Sequence, residues 1–68
     1  MPKKVRELKK ILAKAGFHEV EGKGSHTNWI HPNYQGKITL SGKDGSDARK
    51  YQEKLVKQAV LAIKKEEN

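Results

Sequence analysis

The sequence predicts an α+β fold in the order α-β-β-β-α, in which two helices cover one face of a three-stranded antiparallel sheet. Stretches with apolar residues at helical spacing lie near both ends of the chain. Between them, three short runs containing β-branched and aromatic residues are separated by glycine, proline and asparagine, which are typical of turns. With 68 residues, the chain is expected to form one domain over residues 1–68, near the lower size limit for a core without disulfides or metal ions.

The first helix is predicted from Lys4 to Ala15, and Gly16 is its expected left-handed stop. Its opposite side carries basic residues at every fourth position, which align on one face. This first-helix stripe is either a solvated face or a surface that follows phosphates, and the three residues together favour the second interpretation. The inward set is Val5, Leu8, Ile11, Leu12 and Ala15, and the stripe consists of Arg6, Lys10 and Lys14.

Three strands are predicted over residues 17–21, 26–31 and 36–41, joined by four-residue turns. These turns would pair Glu21 with His26, and His31 with Gly36. Alternation of side chains then separates a face that the helices cover from a face open to solvent. The covered face would carry His18, Val20, Thr27, Trp29, Ile38 and Leu40, and the open face Glu19, Glu21, His26, Asn28, Ile30 and Lys37.

Two aromatic residues of this region have different expected roles. Trp29, as a bulky residue on the covered face, is the expected anchor of the core. Tyr34 falls in the second turn, where we expect an exposed ring that stacks on a base or contacts a partner.

The last helix is predicted over residues 48–65, and Ser46 or Asp47 is its expected N-terminal cap. Residues 66–68 are expected to form a frayed end. The helix should turn Leu55, Val56, Ala59, Val60 and Ile63 inward and Arg49, Lys50, Lys54 and Lys57 outward.

Charge narrows the class of partner. Fifteen Lys and Arg residues against eight Asp and Glu give a net charge of +7, which attracts polyanions. Neither helix combines a basic face with an exposed aromatic wedge, so nucleic acid is favoured over a membrane surface. The chain has no cysteine, which excludes disulfides and thiolate metal sites, and no apolar run near the length of a membrane span or signal peptide. We therefore expect a soluble, cytoplasmic protein.

The most informative segment is the glycine-rich turn Gly22–Ser25, which leads directly into His26. Imidazole is the side chain best suited to give and take a proton near neutral pH, and in a basic protein its natural substrate is a phosphodiester. RNA carries its own nucleophile, the 2′-hydroxyl, so this chemistry requires no metal or cofactor. Lys23 and the backbone amides of Gly24 and Ser25 are placed to contact phosphate oxygens. Glu21 either orients the His26 ring or forms an ordinary cross-strand pair.

The other two histidines are expected to be structural. His31 precedes Pro32 and lies an odd number of residues from His26, so the two rings would point to opposite faces of one strand. His18 would lie beside Trp29 on the covered face. Histidines dispersed in this way, without a carboxylate cluster, do not predict a metal site.

The order of elements resembles that of a double-stranded RNA-binding domain, and the motifs resemble those of the HicA family of toxins. The resemblance spans about residues 5–41 and rests on the break Ala15-Gly16-Phe17, the run Lys23-Gly24-Ser25-His26 and the pair His31-Pro32 at these spacings. It implies an endoribonuclease that cleaves messenger RNA (an mRNA interferase), with His26 as the catalytic residue. It also implies a HicB-type antitoxin as the protein that covers the toxin's site.

Two other functions remain open. One is a non-catalytic module that binds double-stranded RNA, and the other is a DNA-binding accessory protein, since charge alone does not distinguish DNA from RNA. A nuclease depends on the titratable group at His26, whereas a binding module gains little from it. The residues expected to contact RNA are Lys23, Gly24, Ser25, Arg6, Lys10, Lys14, Arg49 and Lys50.

Overall fold

The structure is a computed structural model that describes residues 3–67, with side chains described for residues 3–64. The three strands form one antiparallel sheet in the order β1-β2-β3. This confirms the predicted fold class and order of elements. The elements are α1 (Val5–Lys14), β1 (His18–Val20), β2 (Thr27–His31), β3 (Tyr34–Leu40) and α2 (Lys50–Glu67).

Helix α1 closely follows the prediction. The backbone N–H of Lys4 donates to the Glu7 carboxylate at 2.6 Å, which satisfies a donor just before the first turn. The helix ends at Lys14 with Ala15 as its C-cap, and Gly16 follows in the left-handed region with φ of 100°. The predicted inward residues are buried or half-buried except Ile11, whose side chain is 36% exposed.

The loop between β3 and α2 caps α1 rather than α2. The first-turn N–H groups of Val5 and Arg6 donate to the carbonyl oxygens of Ser46 (2.9 Å) and Asp44 (3.2 Å). The prediction that Ser46 or Asp47 caps the last helix is therefore wrong. Because this loop docks along the start of the chain, α2 begins only at Lys50.

Helix α2 buries the side predicted from its spacing. Val56, Ala59 and Ile63 are buried, and Leu55 and Val60 are half-buried against the core. The backbone remains helical to Glu67, so the predicted frayed end is wrong for residues 66 and 67, while residue 68 lies outside the described residues. Within residues 3–67, no helix combines the length and the apolar character that crossing a membrane requires.

The register of β1 against β2 differs from the prediction by one residue. His18 pairs with Ile30, and Glu19 pairs with Trp29. The cause is the number of residues between paired positions: seven residues separate Val20 from its partner Asn28, whereas the predicted turn leaves an even number between paired residues. His18 and Val20 consequently lie on the open face, where His18 is exposed. Glu19 shares the face of Trp29 and remains exposed, because β1 is an edge strand.

The pairing of β2 with β3 is as predicted near its centre and different at the turn. Trp29 pairs with Ile38 as expected, but His31 pairs with Tyr34 instead of Gly36. A register shift lies between Trp29 and His31, and Gly36, opposite it, has φ of 90°, which glycine adopts without strain. Strand β3 therefore starts two residues early, so Tyr34 is half-buried and its predicted place in an exposed turn is wrong.

The core lies between the covered sheet face and the two helices. Trp29 is 5% exposed, and its indole N–H donates to the Thr27 hydroxyl at 3.1 Å, so the ring is both buried and satisfied. Its place as a core anchor is confirmed. The buried cluster comprises Val5, Leu8, Leu12, Phe17, Trp29, Ile38, Leu40, Ala48, Val56, Ala59 and Ile63.

Candidate nucleic-acid interface and catalytic turn

His26 is the last residue of the turn before β2. The strand was predicted to begin at His26, but it begins one residue later, at Thr27. Its backbone N–H donates to the Lys23 carbonyl at 3.0 Å, which closes the turn Lys23–His26. Gly24 follows Lys23 with φ of 61°, a conformation that residues with a Cβ rarely adopt. The turn therefore holds the His26 side chain in solvent, where the sequence placed it.

The base of this turn is fixed to the sheet by close packing and by side-chain hydrogen bonds. A Cβ on Gly22 would lie 2.9 Å from the carbonyl carbon of His26 and even nearer its oxygen, so only glycine fits there. The Asn28 amide donates to the Glu21 carbonyl at 3.2 Å, and the Thr39 hydroxyl donates to the Asn28 side-chain oxygen at 2.7 Å. These contacts connect the turn to both β2 and β3.

The His26 ring contacts its own turn through one nitrogen. Its Nδ1 lies 3.3 Å from the Lys23 carbonyl oxygen. Because a carbonyl only accepts, this contact is a hydrogen bond only when Nδ1 carries the proton. In that neutral tautomer Nε2 is the proton acceptor. Glu21 does not pair with His26, because β1 ends at Val20, so the predicted cross-strand pair is wrong.

Three other segments reach the same end of the sheet as the turn. Thr27, next to His26, pairs with Leu40 at the end of β3. The Gln52 amide in the first turn of α2 donates to the Ser41 carbonyl at 3.1 Å. The loop that follows β3 caps the start of α1. The N-terminal ends of both helices therefore lie at the His26 end of the molecule.

The residues expected to contact RNA are divided between the two ends. Lys23, Gly24 and Ser25 lie exposed in the turn itself, and Arg6, Arg49 and Lys50 are exposed at the helix starts of the same end. Lys10 lies midway along α1. Lys14 is the last residue of α1, at the opposite end. Lys23, Arg6, Arg49 and Lys50 therefore lie exposed at the end of the molecule that carries His26.

Acidic side chains neutralise other lysines but not these cations. In the part of the chain with described side chains, the two ion pairs join Lys4 to Asp47 (2.5 Å) and Lys9 to Asp44 (2.6 Å). The predicted RNA-contacting cations take part in neither pair. Their charge is therefore directed to solvent, where it is available to phosphates. They are Arg6, Lys10, Lys14, Lys23, Arg49 and Lys50.

The other histidines differ from His26 in their surroundings. His31 packs against Phe17 with ring centroids 5.0 Å apart, and its Nδ1 accepts from the Asn33 N–H at 2.9 Å. A Cβ on Gly16 would lie 3.1 Å from its Nε2, so the ring fills space at the far end of the sheet. His18 is exposed on the open face. Among the described residues, no three potential ligands come close enough to hold a metal ion.

Two residues at the His26 end of the molecule, Tyr51 and Gln52, were not identified as candidates from the sequence. Tyr51 is 59% exposed in the first turn of α2, beside Lys50, so it is the exposed tyrosine in place of the half-buried Tyr34. Gln52 is 2% exposed and binds the Arg49 N–H and Ser41. The helical spacing of Gln52, Val56, Ala59 and Ile63 was the signal for Gln52, because it places a polar residue on the inward side.

Comparison with protein families agrees with this arrangement. The family described as "HicA toxin of bacterial toxin-antitoxin" matches residues 5–61, more than half of the chain. The chain belongs to the HicA toxin family. The match covers α1, the sheet, the His26 turn and most of α2. Searches among curated proteins and among solved structures gave no significant match. Membership in the HicA family implies that this toxin is partnered by an antitoxin.

Proposed function

We propose that this HicA-family protein is an endoribonuclease that cleaves messenger RNA, with His26 as its general acid and base. The observation that carries the proposal is the exposed His26 ring, held on a glycine turn with Nδ1 at the Lys23 carbonyl. Cations of the same end that take part in neither ion pair of the described side chains would supply the affinity for phosphates. Family membership supports this activity, since the HicA resemblance implies an mRNA-cleaving toxin.

The reaction requires only groups that this end of the molecule offers. Nε2 of His26 takes the proton of a 2′-hydroxyl, and the freed oxygen attacks the adjacent phosphorus. The bond to the 5′-oxygen of the next nucleotide breaks, and that oxygen takes up the proton held by the His26 ring, directly or through water, so the products are a 2′,3′-cyclic phosphate and a 5′-hydroxyl. Lys23 and the amides of Gly24 and Ser25 would stabilise the charge that develops on the phosphate oxygens. RNA supplies the nucleophile, so we propose a metal-independent reaction.

We propose that a HicB-type antitoxin inhibits this activity in the cytoplasm. It would cover the His26 turn with an acidic surface, because that is the surface that complements the cations facing RNA. Antitoxin and RNA would then compete for Lys23, His26 and Arg6. In a titration with the co-encoded partner and a labelled 2′-O-methyl RNA, which lacks the nucleophile, the partner should displace the RNA. A ternary complex with both bound at full affinity would exclude masking.

The test of the proposed activity compares two exposed histidines. His26→Ala should lower the rate of RNA cleavage by about 10²–10⁴-fold, the usual contribution of a general acid or base. His18→Ala, on the open sheet face, should leave the rate unchanged. Neither ring is buried, so both variants should keep the thermal melting curve of the parent chain. A single 2′-deoxynucleotide at the cleaved position should block cleavage by the parent chain.

The outcome separates the nuclease from the alternative of a non-catalytic RNA-binding module. Cleavage by purified His26→Ala at the parent rate would refute the catalytic role of His26. If neither protein cuts RNA while both bind it with equal affinity, the chain is a binding module. Arrest of growth by the parent chain, and not by His26→Ala, would be the matching observation in cells.

A further inference from the structure

An apolar groove lies between α1 and α2, on the helical side of the molecule. It has a volume of about 630 Å³, and its bottom is formed by Leu8 and Val56, which are both buried. Ile11 and Leu61 form its walls and are 36% and 49% exposed. The open aliphatic surface is therefore concentrated where two helices already provide a cleft, which is a common setting for a binding site.

The groove continues along α1 toward the C-terminal end of that helix. A shallower depression shares Ile11, Val60 and Lys64 with it and extends the surface to Lys14. From Val5 to Lys14, α1 spans roughly 14 Å, and Lys3 extends this surface beyond the start of the helix. That length matches about three turns of a partner helix bound in the groove. Side chains at positions i, i+4 and i+7 of that helix would contact the apolar residues of the groove.

The rim of the groove is basic. Of the described residues that line the groove and its extension, five are lysines and one, Glu53, is acidic. None of these lysines takes part in the ion pairs with Asp44 and Asp47. A segment that buries its apolar side here must therefore carry acidic residues beside it. The lysines are Lys3, Lys14, Lys54, Lys57 and Lys64.

We propose that the groove between α1 and α2 binds an acidic amphipathic helix of a protein partner. Aliphatic walls suit protein side chains, whereas single-stranded RNA binds through phosphates and through stacking on aromatic rings. The groove contains no residue of the His26 turn, so its occupant leaves that turn uncovered. This inference does not depend on the ribonuclease activity proposed above, and His26→Ala should bind the same helix as the parent chain does.

The test uses a designed probe, a fluorescein-labelled 15-residue stapled peptide with leucines at positions 1, 5, 8 and 12 and glutamates between them. Leu61→Gln should weaken its binding about tenfold or more, as expected when an anchor residue is removed. The matched control is Ile30→Gln, an aliphatic residue of similar exposure (42%) on the open sheet face, which should bind as the parent does. Lys57→Glu should weaken binding, and Lys37→Glu should not. A peptide of scrambled order should bind at least about tenfold more weakly.

Amide chemical shifts in the full chain locate the bound peptide. The expected result is a set of shifts at Ile11, Val60 and Leu61 with no change in residues 22–26. Shifts confined to the His26 turn, or equal loss of binding in Leu61→Gln and Ile30→Gln, would overturn the proposal. It would also be overturned if 2′-O-methyl RNA displaced the peptide from the groove. A dimer of the chain that Leu61→Gln dissociates would assign the groove to a second copy instead. Melting curves of the variants establish that each is folded.

Discussion

At the scale of single residues, the position of the His26 ring depends on a glycine four residues before it. Gly22 lies against the backbone of His26, and no side chain fits between them. Gly24 has a different role, because a Cβ there would meet nothing within 4 Å, and only its φ of 61° favours glycine. Gly22 is therefore required because a side chain would not fit, whereas Gly24 is favoured because of its positive φ.

We expect Gly22→Ala to reduce RNA cleavage strongly while most of the fold persists. The added methyl group collides with the His26 carbonyl, so the turn must move and carry the catalytic ring with it. Displacements of about 1 Å cost catalysis up to about 100-fold. Gly24→Asn is the matched control, because asparagine tolerates positive φ, and it should retain most activity. Equal activity of Gly22→Ala and Gly24→Asn in a cleavage assay would contradict this account.

At the scale of elements, the start of α2 is fixed by one buried amide. The Gln52 side chain accepts the Arg49 N–H at 2.9 Å and donates to the Ser41 carbonyl at 3.1 Å. It therefore caps its own helix and joins that helix to the end of β3. Arg49 and Lys50, both expected to contact RNA, are positioned by this connection.

We expect Gln52→Ala to lower the free energy of unfolding by about 1–3 kcal/mol, because it leaves the partly buried Arg49 N–H and Ser41 carbonyl without partners. Gln58→Ala, an exposed glutamine of the same helix, should change it by less than about 0.5 kcal/mol. Urea unfolding of both variants provides the measurement. If the two substitutions cost the same, the Gln52 hydrogen bonds do not hold the helix in place.

The elements show which features the sequence could and could not predict. Helical spacing correctly predicted the inward residues of α2, since Val56 and Ile63 are buried by the same periodicity that defines the helix. The predicted register of β1 against β2, and that of β2 against β3 near their turn, were wrong because both depend on the length of the connections. Gly22-Lys23-Gly24-Ser25 predicts a four-residue turn, but seven residues separate the paired Val20 and Asn28, and this odd number moves His18 to the open face. The loop that caps α1 was missed because its bonds use backbone carbonyls, which have no sequence signature.

In the candidate site, the sequence correctly predicted the exposure of His26 but not the position of Tyr34. The exposure of His26 follows from a glycine-rich turn that precedes a strand, and the structure retains it. Tyr34 was misplaced because a two-residue turn and the shift near Gly36 extend β3, and its ring packs on Phe17 at 5.6 Å. That packing is a tertiary contact, which periodicity cannot reveal.

At the scale of the whole molecule, stability depends on one aromatic residue. Trp29 lies at the centre of the sheet and is buried among residues of both helices. Truncating a large aromatic side chain in a core costs about 3–5 kcal/mol, similar to the total stability that a core of this size supplies. We therefore expect Trp29→Ala to be unfolded by far-ultraviolet circular dichroism, whereas Trp29→Phe should fold with a lower melting temperature. Parent-like melting of Trp29→Ala would show that the core does not depend on this ring.

The charge of the whole molecule leads to the last prediction, which concerns salt. The net charge of +7 acts on RNA through cations that take part in neither of the ion pairs found among the described side chains, so binding should weaken steeply as salt is added. Replacing Lys10 and Lys14 with alanine should flatten the plot of log affinity against log salt by about one unit for each phosphate that the variant no longer binds. Lys37→Ala, on the open face of the sheet, is the control and should leave the slope unchanged.

The measurement is a fluorescence titration with 2′-O-methyl RNA at several salt concentrations, which separates binding from cleavage. Arg6 and Lys14 lie roughly 12 Å apart along α1, at opposite ends of the sheet, so single substitutions report how far the RNA extends from His26. A smaller slope for Arg6→Ala alone would confine the RNA to the end that carries His26. A smaller slope for both Arg6→Ala and Lys14→Ala would extend it along the whole helix. If only Lys37→Ala flattened the plot, the RNA would instead cross the open face, and the first-helix stripe would be a solvated surface.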